Sequence, residues 1–163
     1  MAGINKGPNL GEDMTYSGTV SVAMEGTLLG IPSMAFSLMG RAGFDFRVAA
    51  AFARVLAGHV LGVGLPADTI LNVNVPEGEP GQVQSFTLTR QGRRRYGNAV
   101  VEKVDPRDRK YYWIGSDDLG FVDEVGTDFA AVTRGLISIT PIHMDLTNYQ
   151  SLDRLGDLSL QWP

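Results

Sequence analysis

Cysteine is absent from the 163 residues. The chain therefore holds no disulfide, no thiolate zinc site and no cysteine nucleophile, and it suits a reducing compartment, with the cytoplasm as the expected location. Long apolar runs are missing too: the longest candidates are broken by Gly, Arg or His within a few residues, so a soluble chain with no membrane partner is expected. No positively charged segment followed by an apolar core opens the sequence, and no secretory signal is expected. Positive charge is not in excess, with 14 Lys and Arg against 18 Asp and Glu for a formal net charge of -4. That balance argues against a general binder of nucleic acid polymers, whose affinity for phosphate backbones accumulates from basic side chains. The one basic cluster, Arg93-Arg94-Arg95, reads as a solvated strand end or turn. Internal repeats and low-complexity linkers are lacking as well. The length is that of one domain, or of one domain with an appendage, and suffices to bury a core without cross-links.

Within that frame the hydrophobic periodicity is informative. Val20, Ala23, Met24, Thr27 and Leu28 recur at helical spacing, and Gly30 before Ile31-Pro32 closes the pattern, which predicts a helix over about 17–29. IPSMAFSL is short and apolar, as suits a strand buried on both faces. A second helix is predicted from Phe46 to about Val63, with Phe52, Val55, Leu56, Val60 and Leu61 on one broad face and Gly64 and Pro66 as stops. ILNVNVP at 70–76 alternates apolar residues with Asn and ends on proline, a strand signature. Helix, strand, helix, strand in that order implies an α/β fold with a parallel sheet covered by helices. VQSFTLTRQG, NAVVEKV and KYYWIGS then form a β-rich excursion over about 82–116, with DPRD at 105–108 as a turn. EVGTDFAAVTRG predicts a short helix capped at Thr127 or Asp128, and LISITPI at 136–142 a further buried strand. The tail from Asp145 to Pro163 is weakly patterned and reads as an arm able to reach a partner subunit.

The first twenty residues carry the most chemistry. Asn5 and Asn9 lie in the Gly-rich stretch GINKGPNLG, which leads to a helix entered through Ser17-Gly18-Thr19. A helix N-terminus leaves backbone N–H groups without intrahelical partners, and its dipole favours negative charge. Ser17 and Thr19 add hydroxyls, and Gly18 removes bulk where a phosphate would approach the backbone. The asparagine amides offer oxygens to a hard cation or N–H donors to phosphate. The same residues also satisfy a plainer reading, since Gly and Asn are ordinary turn formers and Ser or Thr an ordinary helix cap. Neither the GxxxxGK[ST] phosphate loop nor the GxGxxG dinucleotide fingerprint is present.

Beyond local chemistry, GIN-K-GPNLG, the E-D-x-x-YSGTVxxAMEG stretch, LNVNVP, YYWIG, GTDFAAV and SITPIHMDLT resemble the survival protein SurE family. Its members are metal-dependent nucleoside monophosphate phosphatases, also called 5'/3'-nucleotidases, and the likeness runs from Gly3 to about Thr147. The resemblance implies a three-layer, Rossmann-like α/β fold with a β-hairpin excursion and a C-terminal arm. Dimers or tetramers assembled through those appendages are also implied. It further implies that Asn5 is a ligand of one divalent cation, magnesium or manganese, and that Asn9, Ser17, Gly18 and Thr19 hold the substrate phosphate. Residues 1–163 would then be the C-terminal portion of a single SurE-like domain, with 82–116 as the excursion and 145–163 as the arm.

The family's other metal ligands are two consecutive aspartates in an Asn-Asp-Asp-Gly motif and a serine in a later Ser-Gly loop. In the family they precede the GIN stretch by many tens of residues, and these 163 residues do not contain them; even the strand leading into GIN is reduced to Met1-Ala2. No catalytic residue is therefore assigned, the cation is expected to be weakly held, and this chain alone is expected to be inactive or nearly so. Three roles fit that expectation: a fragment or mis-started version of a full nucleotidase, a non-catalytic binding or oligomerisation module, or one half of a split enzyme. Asp117-Asp118 read as a solvated turn, Glu12-Asp13 as loop residues close to the site, and Thr127-Asp128 as a helix cap. His143 and Asp145 are expected to pack or support an interface, and His59 to be structural or exposed. Tyr111, Tyr112 and Trp113 are read as strand packing.

Overall fold

The computed structural model describes residues 1–40, 43–83, 85–95, 100–114, 120–156, 158–160 and 162. Strands β1 (Ala2–Lys6), β2 (Ser33–Leu38), β3 (Thr69–Val75), β4 (Phe86–Leu88) and β7 (Ile137–His143) form one sheet in the order β1-β2-β3-β7-β4. β1, β2 and β3 run parallel, β7 is antiparallel to β3, and β4 is parallel to β7. β5 (Val100–Val104) and β6 (Lys110–Ile114) pair with each other as a separate antiparallel hairpin. The helices are α1 (Gly18–Leu28), α2 (Arg47–Val63), α3 (Asp128–Thr133) and α4 (Tyr149–Leu155), with a 3-10 turn at Gly11–Tyr16 before α1. Among the described residues no helix is long and apolar enough to cross a membrane.

All six residues of β2 are buried, and their alternation separates two cores. Met34, Phe36 and Leu38 point to one face with Leu71, Val73 and Val75 of β3, where Val48, Ala49, Ala53 and Val60 of α2 cover them. Ala35 points to the other face with Ala2, Ile70 and Ile142, under Val20 and Ala23 of α1. The result is the helix-sheet-helix layering expected of α/β chains. α2 buries a narrower face than its sequence predicts: Val55 is 65% and Leu61 88% exposed, while Phe52 and Leu56 are half-buried. The face that meets the sheet repeats through 49, 53 and 60, where alanines allow close approach, and Val55 and Leu61 fall outside it.

Other departures follow from pairing that local patterns do not encode. Gly3, Ile4 and Asn5 lie in β1, whose Ala2, Asn5 and Lys6 pair with β2 on either side of an irregularity at Gly3 and Ile4. Gly3 has a φ of 110°, and a Cβ there would collide with the Phe36 carbonyl oxygen, so this strand position requires glycine. Phe86–Leu88 belongs to the main sheet through its pairing with β7, leaving the hairpin alone outside it. The Asp105–Asp108 turn is built as its sequence predicts, with Asp105 accepting hydrogen bonds from the Arg107 and Arg109 amides at 2.8 and 3.0 Å. Arg94 is not a solvated basic residue: its guanidinium lies 2.6 Å from the Asp13 carboxylate and is only 24% exposed. Asp117-Asp118 lie outside the described residues.

Candidate phosphate site

The parallel strands β1 and β2 end beside the loop that leads to α1, the position at which open α/β sheets bind ligands. Asn5 is the next-to-last residue of β1. Its Nδ2 donates to the Gly7 carbonyl at 2.9 Å, and its Oδ1 accepts a long 3.4 Å bond from the Thr19 hydroxyl. Ser17 caps α1: its Oγ accepts from Val20 N–H at 3.2 Å, and its carbonyl accepts from Ser21 N–H at 2.9 Å. Gly18 and Thr19, the first two helical residues, keep backbone N–H groups with no partner among the described residues. A Cβ added at Gly18 would meet nothing within 4 Å, so the chain's own packing does not require glycine there. Asn5, Ser17, Gly18 and Thr19 are thus brought together.

Asn9 is anchored to the sheet through Ser37, the β2 residue paired with Asn5, and through β3. It is buried, its backbone N–H donates to Asn74 Oδ1 at 2.8 Å, and its Nδ2 donates to Ser37 Oγ at 2.6 Å. Its carbonyl accepts from Asn72 Nδ2 at 2.8 Å and from Asn74 Nδ2 at 3.1 Å. Ser37, Asn72 and Asn74 stand on the α1 face of the sheet and were not singled out in the sequence. The available signal was Asn alternating with Val in a strand whose other residues after Thr69 are apolar.

Two residues beyond Asn9 the loop is fixed again. Asp128, buried at the start of α3, accepts from Gly11 N–H at 2.8 Å, Phe129 N–H at 2.8 Å and Gly92 N–H at 2.9 Å. Burial pushes its carboxyl above the ordinary value, and the Gly11, Phe129 and Gly92 amides pull the other way. Gln91 Nε2 donates to the Gly11 carbonyl at 3.0 Å. Glu12 accepts from Arg94 N–H at 2.9 Å, and Asp13 pairs with the Arg94 guanidinium. Both carboxylates next to the site are therefore engaged in fastening the loop to residues 91–94.

The remaining sequence candidates lie apart from this loop. His59 is exposed on α2. His143 is exposed and its Nδ1 accepts from Asp145 N–H at 3.2 Å. Asp145 is held down to about 2 by the donors of Thr147 and Tyr149. Tyr111, Tyr112 and Trp113 are 42%, 60% and 63% exposed, so they do not pack within this chain as expected. A two-stranded hairpin has no second layer to bury them.

The donor set around Asn5 does not fit a divalent cation by itself. Among the described residues no group of three or more His, Asp or Glu is placed to hold a metal ion, and the loop's own carboxylates, Glu12 and Asp13, are engaged with Arg94. One neutral amide oxygen does not fit such a cation on its own, since magnesium is usually held through carboxylates together with phosphate oxygens and water.

Known proteins share this architecture. The family model for survival protein SurE matches residues 1–98. The 5'-nucleotidase SurE of Geotalea uraniireducens is 56% identical over 156 residues, covering 95% of this chain and 63% of that protein. That of Moorella thermoacetica is 49% identical over 100% of this chain and 63% of its own length. The crystal structure of the SurE protein from Aquifex aeolicus superposes with a TM-score of 0.85 at 47% identity, covering 97% of this chain and 64% of that one. The chain thus spans a little under two thirds of the length of these relatives, and over that span its sequence and its backbone agree with theirs: it belongs to the SurE family.

Proposed function

We propose that the protein serves as a divalent-metal-dependent 5'/3'-nucleotidase that hydrolyses the phosphate of nucleoside monophosphates, and that these residues supply its phosphate-holding half. The observation that carries this reading is the pair of unpartnered amides at Gly18 and Thr19, flanked by the Thr19 hydroxyl and the Asn5 amide. Two N–H groups and the positive end of the eleven-residue α1 suit a phosphate dianion, and such fixed donors also stabilise charge that develops during phosphoryl transfer. Ser17 sets the helix start, and Asn9 sets the path of the loop. Magnesium or manganese is the cation this reading calls for, with Asn5 as its one ligand in the chain. Because that donor set is insufficient, the 163-residue chain on its own holds phosphate and turns over at or near background. A non-catalytic module and one half of a split nucleotidase would behave alike in this respect. The same reading makes the protein a cytoplasmic homo-oligomer, a dimer or tetramer.

The test has two arms. In the first, AMP is titrated into the 15N-labelled chain, and the Gly18 and Thr19 amide resonances should move; their failure to move overturns the phosphate site. In the second, phosphate release from AMP is measured with manganese or magnesium, beside an Asn5→Ala control. Background release from both is expected. Metal-dependent turnover that disappears in the control would show the site to be complete within this chain.

A further inference from the structure

From the arrangement around Asn9 we infer that Asn72 and Asn74 of β3, with Ser37 of β2, are positioning residues of the phosphate site, acting through the Asn9 backbone and amide. The inference rests on the phosphate reading of α1 given above.

The geometry is unusual for packing alone. Asn9 lies between Asn5 and the α1 N-terminus, and every hydrogen bond described for it ends on an adjacent sheet strand. Asn74 bonds it twice, accepting from its N–H and donating to its carbonyl, which is the pairing a neighbouring strand would provide. Asn72 donates to the same carbonyl, and Ser37 receives the side-chain amide. Asn72, Asn74 and Ser37 are 1%, 0% and 0% exposed, so the clamp is cut off from solvent competition. Side chains thereby dock an irregular loop to the sheet as if it were a further layer.

Asn72 gives the stronger indication. Its Oδ1 is buried and has no hydrogen-bond partner among the described residues. A buried acceptor without a partner lowers stability, and a β-branched apolar residue would serve this fully buried strand position better. The amide is thus poorly suited to stability alone, while its Nδ2 bond to Asn9 fixes the loop whose far end sets the first turn of α1. Fixing that turn fixes where the Gly18 and Thr19 amides stand, and small misplacements of such donors weaken binding steeply.

Two variants test this in the 163-residue chain, with AMP titrated and the Gly18 and Thr19 amides observed by NMR. Asn72→Val should leave the thermal midpoint unchanged or raise it, yet weaken AMP binding by about tenfold. A purely structural role would lower the midpoint and spare affinity in the folded chain. Asn74→Asp is the conservative partner. When protonated, its carboxyl restores one donor and one acceptor; when ionised, it has no donor. Its AMP affinity relative to the unmodified chain should therefore recover as pH falls, with α2 resonances reporting that the fold persists. Unchanged affinity in both variants, at every pH where they are folded, overturns the inference. If the unmodified chain itself shows no Gly18 or Thr19 shift with AMP, the phosphate reading fails and this inference with it. Binding by the unmodified chain with unaltered variants removes the positioning role alone.

Discussion

Asp128 fastens three segments with two oxygens: the site loop at Gly11, the segment entering the hairpin at Gly92, and α3 at Phe129. In Asp128→Asn one oxygen becomes an NH2 group facing backbone N–H donors, so at least one buried donor loses its acceptor. That loss is expected to cost about 1–3 kcal/mol, measurable as a lower urea midpoint without a change in slope. Glycine is needed at Gly92, where a Cβ would come within 2.7 Å of Asp128 Oδ1. At this scale the sequence revealed the residues whose chemistry is local. Ser17 and Thr19 sit at the start of an evident helix, and Asn5 lies in a recognisable stretch. It concealed the setting of Asn9, whose partners are 28 to 65 positions away and are ordinary Ser and Asn in strands. Thr127-Asp128 was legible as a cap, and Thr127 does accept from Ala130 N–H at 3.3 Å. The reach of Asp128 to Gly11 depends on tertiary contact over 117 positions.

Elements were legible where periodicity and a stop signal coincide. α1 has its Ser17 cap, and Ser17→Ala removes the acceptor for Val20 N–H, with an expected loss of about 1 kcal/mol. That change should also broaden the Gly18 and Thr19 resonances, because the cap fixes the turn they occupy. β2, β3 and β7 were visible as short apolar runs, and α2 as a long one, although its buried face depends on which alanines meet the sheet. β4 could not be assigned to the main sheet, since parallel pairing with β7 joins segments about fifty residues apart. The turn before α4 is held by Asp145, which accepts from Thr147 N–H at 2.8 Å and from the Tyr149 hydroxyl. These donors depress its carboxyl from 3.8 to about 2, so their stabilising effect is complete above 3.8 and is lost as pH falls through about 2. The Thr147 amide resonance should report this as a transition at lower pH than an ordinary aspartate gives, and Tyr149→Phe should move it upward.

At the scale of the whole molecule, the apolar surface is unevenly distributed. Val100, Val101, Tyr112 and Trp113 are exposed on the hairpin, and Leu146, Leu152, Leu155 and Leu158 on the segment containing α4, in which no residue is buried. A two-stranded hairpin is marginal by itself, and a helix exposing three large apolar side chains gains nothing from its own chain. β1 adds a third surface, since it is an edge strand with β2 as its one neighbouring strand among the described residues. Surfaces of this kind favour association, and the proposed homo-oligomer would place its contacts on these appendages. Light scattering is therefore expected to give a mass above that of one chain. Replacing Tyr112 and Trp113 by Glu should shift it toward the monomer, because charges would have to be buried at the hairpin contact. The Gly18 and Thr19 response to AMP should survive that replacement, since none of the hydrogen bonds that form the phosphate site involves β5 or β6. A monomeric unmodified chain that binds no hydrophobic dye would contradict this assembly, whereas loss of AMP binding on dissociation would show that a neighbouring copy completes the phosphate site.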